Sequence, residues 1–309
     1  MNVRPFDWRD LPALHRYRTQ CLFLDRAQVL TSGPIFVPKG AVLSSLSPAT
    51  GIFTFLATDK AESQLPLIGQ VTHASGQGSA RLSFLAPDVP LPSPLLAGII
   101  EAMAVQVGER GGLHILGEVD SEHSLYEGLR QVGFGVYARQ RIWQLEGLPT
   151  GQTLPGLRRA HPGADTAAVR FLYANLVPGL VQQVEPPPAN HSQGLVLYNG
   201  NELLVYVEIR YGAHGIWVQP FVHPDAESVA EPLIRMLRDL PYRRGRPVYV
   251  CVRSYQSWLE PVIEDLGAEP SVPQAVLVRH LAQARRQQVA NAMVVLNGKS
   301  AEPTLPIVR

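Results

Sequence analysis

Apolar positions recur in two periods along this chain, and each recurrence in the first half has a counterpart in the second. Val3-Arg4-Pro5 reads as a short strand, followed by a helix whose Leu11, Leu14 and Tyr17 fall three apart; Leu157-Arg158-Arg159-Ala160 leads in the same way into a helix with Val169, Leu172 and Leu176. Three alternating strands follow in each half, at 52–58, 67–73 and 80–86 and at 195–198, 203–211 and 215–222, with turn residues such as Asn199-Gly200-Asn201 between them. The third strands end in the related phrases Leu85-Ala86-Pro87-Asp88 and Val222-His223-Pro224-Asp225. A helix follows each, with the stripes Leu96, Ile99, Ile100, Met103, Val107 and Val229, Leu233, Met236, Leu237, Leu240. Each half then continues with a strand (113–119; 247–252), a helix (Leu125, Leu129, Val132; Leu259, Val262, Leu266), a capping Gly133 or Gly267, and a last strand (136–145; 275–281).

Order and spacing repeat together: Gly133 lies 46 positions after Pro87, and Gly267 lies 43 positions after Pro224. The pattern predicts an internal duplication. Two α+β domains are expected at 1–147 and 157–282, joined by a linker at 148–156 rich in Pro and Gly, with 283–309 as a tail. One extra strand at 292–296 is expected in the tail, and mobility in its last dozen residues.

Composition removes several classes of function. The 309 residues are 46% hydrophobic and 17% charged, enough apolar material for two cores, with no apolar run long enough to span a membrane. Balanced charge, 27 Lys and Arg against 26 Asp and Glu, gives no field that would draw the chain to nucleic acid or an anionic membrane. The two cysteines, Cys21 and Cys251, exclude a disulfide framework and a cysteine zinc site, and the nine histidines show no HxH or HExxH spacing, so no metal is expected. A cytoplasmic, unprocessed protein is the expectation. Tyr242-Arg243-Arg244-Gly245-Arg246 reads as a solvated turn, with phosphate binding as its alternative.

The order strand, helix, three-strand meander, helix, strand, helix, strand resembles the GNAT superfamily of N-acetyltransferases. Val3-Arg4-Pro5, Val222-His223-Pro224-Asp225 and Leu125-Tyr126-Glu127 before Gly133-Phe134 carry the likeness over residues 1–147 and 155–282. Two such units in one chain also look like the tandem layout of mycothiol synthases and N-myristoyltransferases. The resemblance implies two tandem GNAT-like domains, each a mixed, mostly antiparallel sheet flanked by helices. It also implies acyl transfer from acetyl-CoA to the amine of a small molecule or a protein.

In that family the loop after the fourth strand reads Arg or Gln, two residues, Gly, one residue, Gly or Ala, and its N–H groups at a helix N-terminus hold the pyrophosphate. The matching positions are Pro90, Ser93 and Leu95 in the first half and Glu227, Ala230 and Pro232 in the second. Pro90, Pro92 and Pro94 have no N–H to give, and Asp225 and Glu227 already place anions at the second helix start. The second half keeps Val222, His223 and Ser228 as positions able to face acetyl-CoA. The family's tyrosine acid falls on Leu129 and Ile263, so Tyr255, just after strand 247–252, is the candidate acid, with Tyr126 one turn from the first-half position. Glu208 is the candidate base, because a period of two puts Tyr206, Glu208 and Arg210 on one face; an ion pair with Arg210 is the structural alternative. Glu118 occupies the corresponding late strand of the first half. The competing function is a catalytically inactive pseudo-acetyltransferase, a scaffold that binds a small molecule or a protein.

Overall fold

The computed structural model describes residues 1–34, 41, 50–58, 66–89, 93–146, 157–188, 194–224, 226, 233, 237, 240 and 244–281. The first half runs β1 (Asn2–Pro5), a 3-10 turn (Trp8–Asp10), α1 (Leu11–Arg16), β2 (Leu22–Phe23), α2 (Arg26–Ser32), β3 (Ile52–Thr58), β4 (Leu67–Thr72), β5 (Ser79–Ala86), α3 (Ser93–Glu109), β6 (His114–Asp120), α4 (Leu125–Gln131) and β7 (Gly135–Leu145). The second runs β8 (Leu157–Arg159), α5 (Thr166–Leu176), α6 (Gly179–Gln182), β9 (Leu195–Asn199), β10 (Glu202–Tyr211), β11 (Ile216–Val222), β12 (Val248–Arg253), a 3-10 segment (Ser254–Leu259), α7 (Glu260–Glu264), β13 (Glu269–Pro270) and β14 (Gln274–His280). The linker, the tail with its expected extra strand and mobile end, and Asp225, Glu227, Ser228, Ala230 and Pro232 lie outside the described residues. Leu233, Leu237 and Leu240 are described as buried in the second half's core.

Where alternation was read, strands form, because each alternate side chain has a core to enter. On β10, Val205, Val207 and Ile209 join one core, while Tyr206 joins another on the opposite face. In the first half α3 lays Leu96, Ile99, Ile100 and Met103 over β3 and β4. Among the described residues four short elements, β2, α2, α6 and β13, have no counterpart in the pattern. The helix expected over Leu259, Val262 and Leu266 is broken into a 3-10 segment and α7, with Gln256 off helical geometry at φ −126°, ψ 25°.

The fold is α+β, built on one mixed, mostly antiparallel sheet in the order β1-β3-β4-β5-β6-β14-β7-β12-β11-β10-β9-β8. The last strands are exchanged. β14 pairs along its length with β6, Gln274 opposite Asp120 through His280 opposite His114, so it completes the first half's sheet. Its Ala275 and Leu277 enter the first half's core. β7 lies beside β14 through Gly135 to Gln140, and from Gln140 to Leu145 it pairs instead with β12. Trp143 and Leu145 accordingly enter the second half's core. A second contact joins the halves: His214 N–H donates to Thr31 O at 2.9 Å, at the end of α2. Gly212 lies so close to that carbonyl that a Cβ there would collide with it.

One ion pair is duplicated atom for atom. Arg4 Nη1 and Nη2 donate to Asp10 Oδ2 and Oδ1 at 2.7 and 2.6 Å, and Arg158 Nη1 and Nη2 donate to Asp165 Oδ2 and Oδ1 at 2.6 and 2.5 Å. In each half a backbone N–H, Asp7 or His161, also donates to Oδ2. The clamp ties the opening strand to the helix start, and in the second half Tyr198 OH donates to Oδ1 as well. Hydrogen bonds from Arg158 hold the Asp165 carboxyl well below the usual carboxylate range, against the opposing effect of burial. Asp165→Ala should therefore lose about 1.5 to 3 kcal/mol at pH 7. A depressed folded pKa stabilises the fold above the unfolded value near 3.9, and that contribution is lost as pH falls through the folded value. The gap between wild type and variant, read by denaturant melts at several pH values, should be full at neutrality and close below about pH 4; a gap that widens on acidification would contradict the clamp.

Candidate functional site: a cavity between the halves

A cavity of about 550 Å³ opens between the two halves. The first half contributes Asp25 and Gln28 at the start of α2, Thr72 of β4, and Ser79 and Arg81 of β5; the second contributes Tyr173 of α5, Glu185, Glu208 and Arg210 of β10, Gln219 and Phe221 of β11, and Arg253 at the end of β12. Strand alternation explains the membership, since residues whose strand neighbours are core face the other side of the sheet. Ser79 Oγ donates to Val184 O at 3.0 Å, so the segment carrying Glu185 is fastened to the first half.

Glu185 is the centre of a part-buried network. Arg253 Nη2 donates to its Oε1 at 2.6 Å, Tyr137 OH donates to the same oxygen, and Tyr173 OH donates to the Glu185 backbone carbonyl at 2.6 Å. Burial alone would raise the Glu185 carboxyl; the nearby Arg253 and Arg81 guanidiniums outweigh it and hold it lowered, as a carboxylate. Behind Arg81 lies Glu118, 3% exposed, whose Oε2 accepts from Arg26 N–H at 3.1 Å and whose Oε1 is 3.5 Å from Arg81. There burial wins over Arg81 and pushes the carboxyl up. Burial also pushes the Cys251 thiol up to about 12, so it is no thiolate nucleophile.

Beside this cavity each half has one pair of parallel strands that splay. β5 and β6 pair only from Ser79 opposite His114 to Arg81 opposite Leu116, and then diverge. The chain itself fills the gap. Leu22 and Phe23 pair with Leu85 and Phe84, Leu24 N–H donates to Ser83 O at 2.9 Å, and Glu118 N–H donates to Leu24 O at 2.9 Å. In the second half β11 and β12 pair from Ile216 opposite Val248 to Val218 opposite Val250 before diverging. Here a single side chain closes the gap: Gln256, 1% exposed, accepts from Val222 N–H through Oε1 and donates from Nε2 to Pro220 O, both at 2.9 Å.

This splayed, helix-covered architecture has known counterparts. The structure is similar to a GCN5-related N-acetyltransferase from Sphaerobacter thermophilus, with a TM-score of 0.57 at 12% identity over 91% of this chain and 95% of that one. The chain has the GNAT fold. A tandem GNAT protein from the clavulanic acid biosynthesis pathway and a GNAT-family acetyltransferase from Colwellia psychrerythraea give TM-scores of 0.48 and 0.44 at 13% and 12% identity, each over 91% of this chain and over 98% and 100% of theirs. No family model and no curated protein matches the sequence. At such identities likeness speaks for fold, so any activity on this GNAT frame must be argued from its residues.

The described residues do not fit acetyl-CoA as a bound cofactor. In the first half, main chain occupies the splay. In the second, the donors that the sequence offered are taken: Val222 N–H by Gln256, and His223 N–H by Leu204 O at 2.9 Å. Ser228 lies outside the described residues. Glu208 lines the cavity, and Arg210 Nε and Nη2 donate to its Oε1 at 3.1 and 3.0 Å. Tyr255 packs against the cluster that holds Tyr173, Tyr206 and Phe221, and burial raises its phenol above the ordinary value. Among the described residues no group of three or more His, Cys, Asp or Glu is placed to hold a metal ion, and no helix is long and apolar enough to cross a membrane. Sequence reasoning missed Arg253, Glu185 and Arg81. Their only local signal was a charged residue inside an apolar strand (Arg81), at the end of one (Arg253) or beside three prolines (Glu185).

Proposed function

We propose that this protein binds a small molecule in the cavity between its halves, on a GNAT frame whose acyl-CoA slots are filled by its own chain. The division into domains 1–147 and 157–282 and a cytoplasmic location belong to the same reading. The observation that carries it is the self-occupied splay: β2 and Leu24 in one half, the Gln256 amide in the other. The contrast between the two closures supports a second reading, acyl transfer from an acyl-CoA to a small-molecule or protein amine in the second half alone. A side chain can rotate away where a paired strand cannot. That reading keeps Glu208 as base, once released from Arg210, and Tyr255 as acid, with Val222, His223 and Ser228 beside the cofactor.

Calorimetric titration of acetyl-CoA into the full chain and into Gln256→Ala separates the two. The scaffold reading expects no heat of binding from either protein at millimolar acetyl-CoA. Binding by the wild type, or binding gained only when Gln256 is removed, would replace it with a working or gated second-half slot.

A further inference from the structure

Arg81 stands in the cavity wall as a cation without a hydrogen bond. Its side chain is 32% exposed, so the guanidinium is reached from the cavity, and its one ion pair among the described residues is with Glu118 Oε1 at 3.5 Å. Burial pushes the Glu118 carboxyl up, which weakens that counter-charge. Two carboxylates on the same wall, Asp25 and Glu185, act on Arg81 through space without pairing with it. Each has one oxygen committed and one free. Asp25 Oδ1 accepts from Gln28 N–H at 3.1 Å and Glu185 Oε1 accepts from Arg253 and Tyr137, whereas Asp25 Oδ2 and Glu185 Oε2 accept no hydrogen bond among the described residues. Gln219, 8% exposed, also lines the cavity; its amide has no hydrogen-bond partner among the described residues and is not sealed from solvent. Polar side chains buried to this degree are nearly always bonded, so donors and acceptors left open together on one wall mark a site that a ligand completes.

We propose that the cavity takes a zwitterionic small molecule, with its carboxylate on Arg81 and its ammonium on the free oxygens of Asp25 and Glu185. The inference rests on reading the cavity as the ligand site and names the class of ligand it takes. A planar guanidinium offers paired N–H donors that match a carboxylate, and an ammonium brings donors for carboxylate oxygens that have none. Charge balance points the same way. Three arginines and three carboxylates line the wall, so a ligand of net charge would bring an uncompensated charge out of water, and a zwitterion brings none. The Gln219 amide, both donor and acceptor, can bond either end of the molecule.

The test is calorimetric titration of the full chain, at constant ionic strength, with glycine, β-alanine and γ-aminobutyrate, which hold their two charges at increasing separation, and with butyrate and butylammonium, which carry one charge each. At least one zwitterion should bind about tenfold or more tightly than either single-charge probe. Arg81→Met alone would strand Glu118, so it is combined with Glu118→Gln. Asp25→Asn keeps an oxygen for the Gln28 N–H and removes only the charge. The double variant and Asp25→Asn should each weaken zwitterion binding by about tenfold, and Gln219→Trp, which fills the cavity, should abolish it. Zwitterions that fail to bind, or bind no better than butyrate or butylammonium, would overturn the proposal and leave the cavity reading standing. Binding lost in Gln219→Trp but unchanged in both charge variants would overturn Arg81 and Asp25 as the anchors. Zwitterion binding that survives in Gln219→Trp would overturn the cavity itself as the site.

Discussion

Replacing Glu185 with alanine should destabilise the protein by about 3 to 5 kcal/mol, because it leaves the Arg253 guanidinium buried without its counter-charge. Arg253 is 3% exposed, and Glu185 is its one ion-pair partner among the described residues. Tyr137 loses its acceptor in the same step. Much of that loss should be recovered when Arg253→Met is added, since the pair is then removed whole. Urea melts of the two single variants and the double variant form a cycle that isolates the coupling. A Glu185→Ala loss below about 1 kcal/mol would mean that water reaches Arg253 freely, and the cavity would then lack its ordered wall.

Leu24→Ala should cost about 2 to 5 kcal/mol, the range for truncating a buried leucine in a packed core. Leu24 is 1% exposed and belongs to the first half's main cluster, although its neighbours Leu22 and Phe23 form a strand of only two residues. The loss has a specific cause here: this side chain fixes the segment that fills the splay between β5 and β6. A loss under 1 kcal/mol in a denaturant melt would show that the segment is only loosely seated, and would return the first-half slot as a candidate cofactor site.

The repeated order of elements was legible in the sequence because each strand or long helix buries one face, and a buried face writes a period of 2 or 3.6 into the residues themselves. β3 occupies Ile52–Thr58 as the alternation predicts, and by the same rule Tyr206, Glu208 and Arg210 face away from Val205, Val207 and Ile209, with Glu208 and Arg210 lining the cavity. β2 was not legible, since two residues carry no period. Nor was the break ahead of α7, where Gln256 of the 3-10 segment departs from helical geometry and bonds β11.

The site divides along the same line. Glu208 could be placed from its own strand, and its pairing with Arg210 was the local alternative. The network of Arg81, Glu118, Glu185 and Arg253 joins residues far apart in the chain, and none of the four has a neighbour in sequence that reveals its partner. By itself the sequence determined the α+β class, the duplication and the strand faces, all of which depend on short-range periodicity. Only the tertiary structure decided that β7 and β14 change places, that the chain closes both of its splays, and that a cavity lies between the halves. Pairing between distant strands depends on which edges are left open once all the others have formed, and no local pattern encodes that choice.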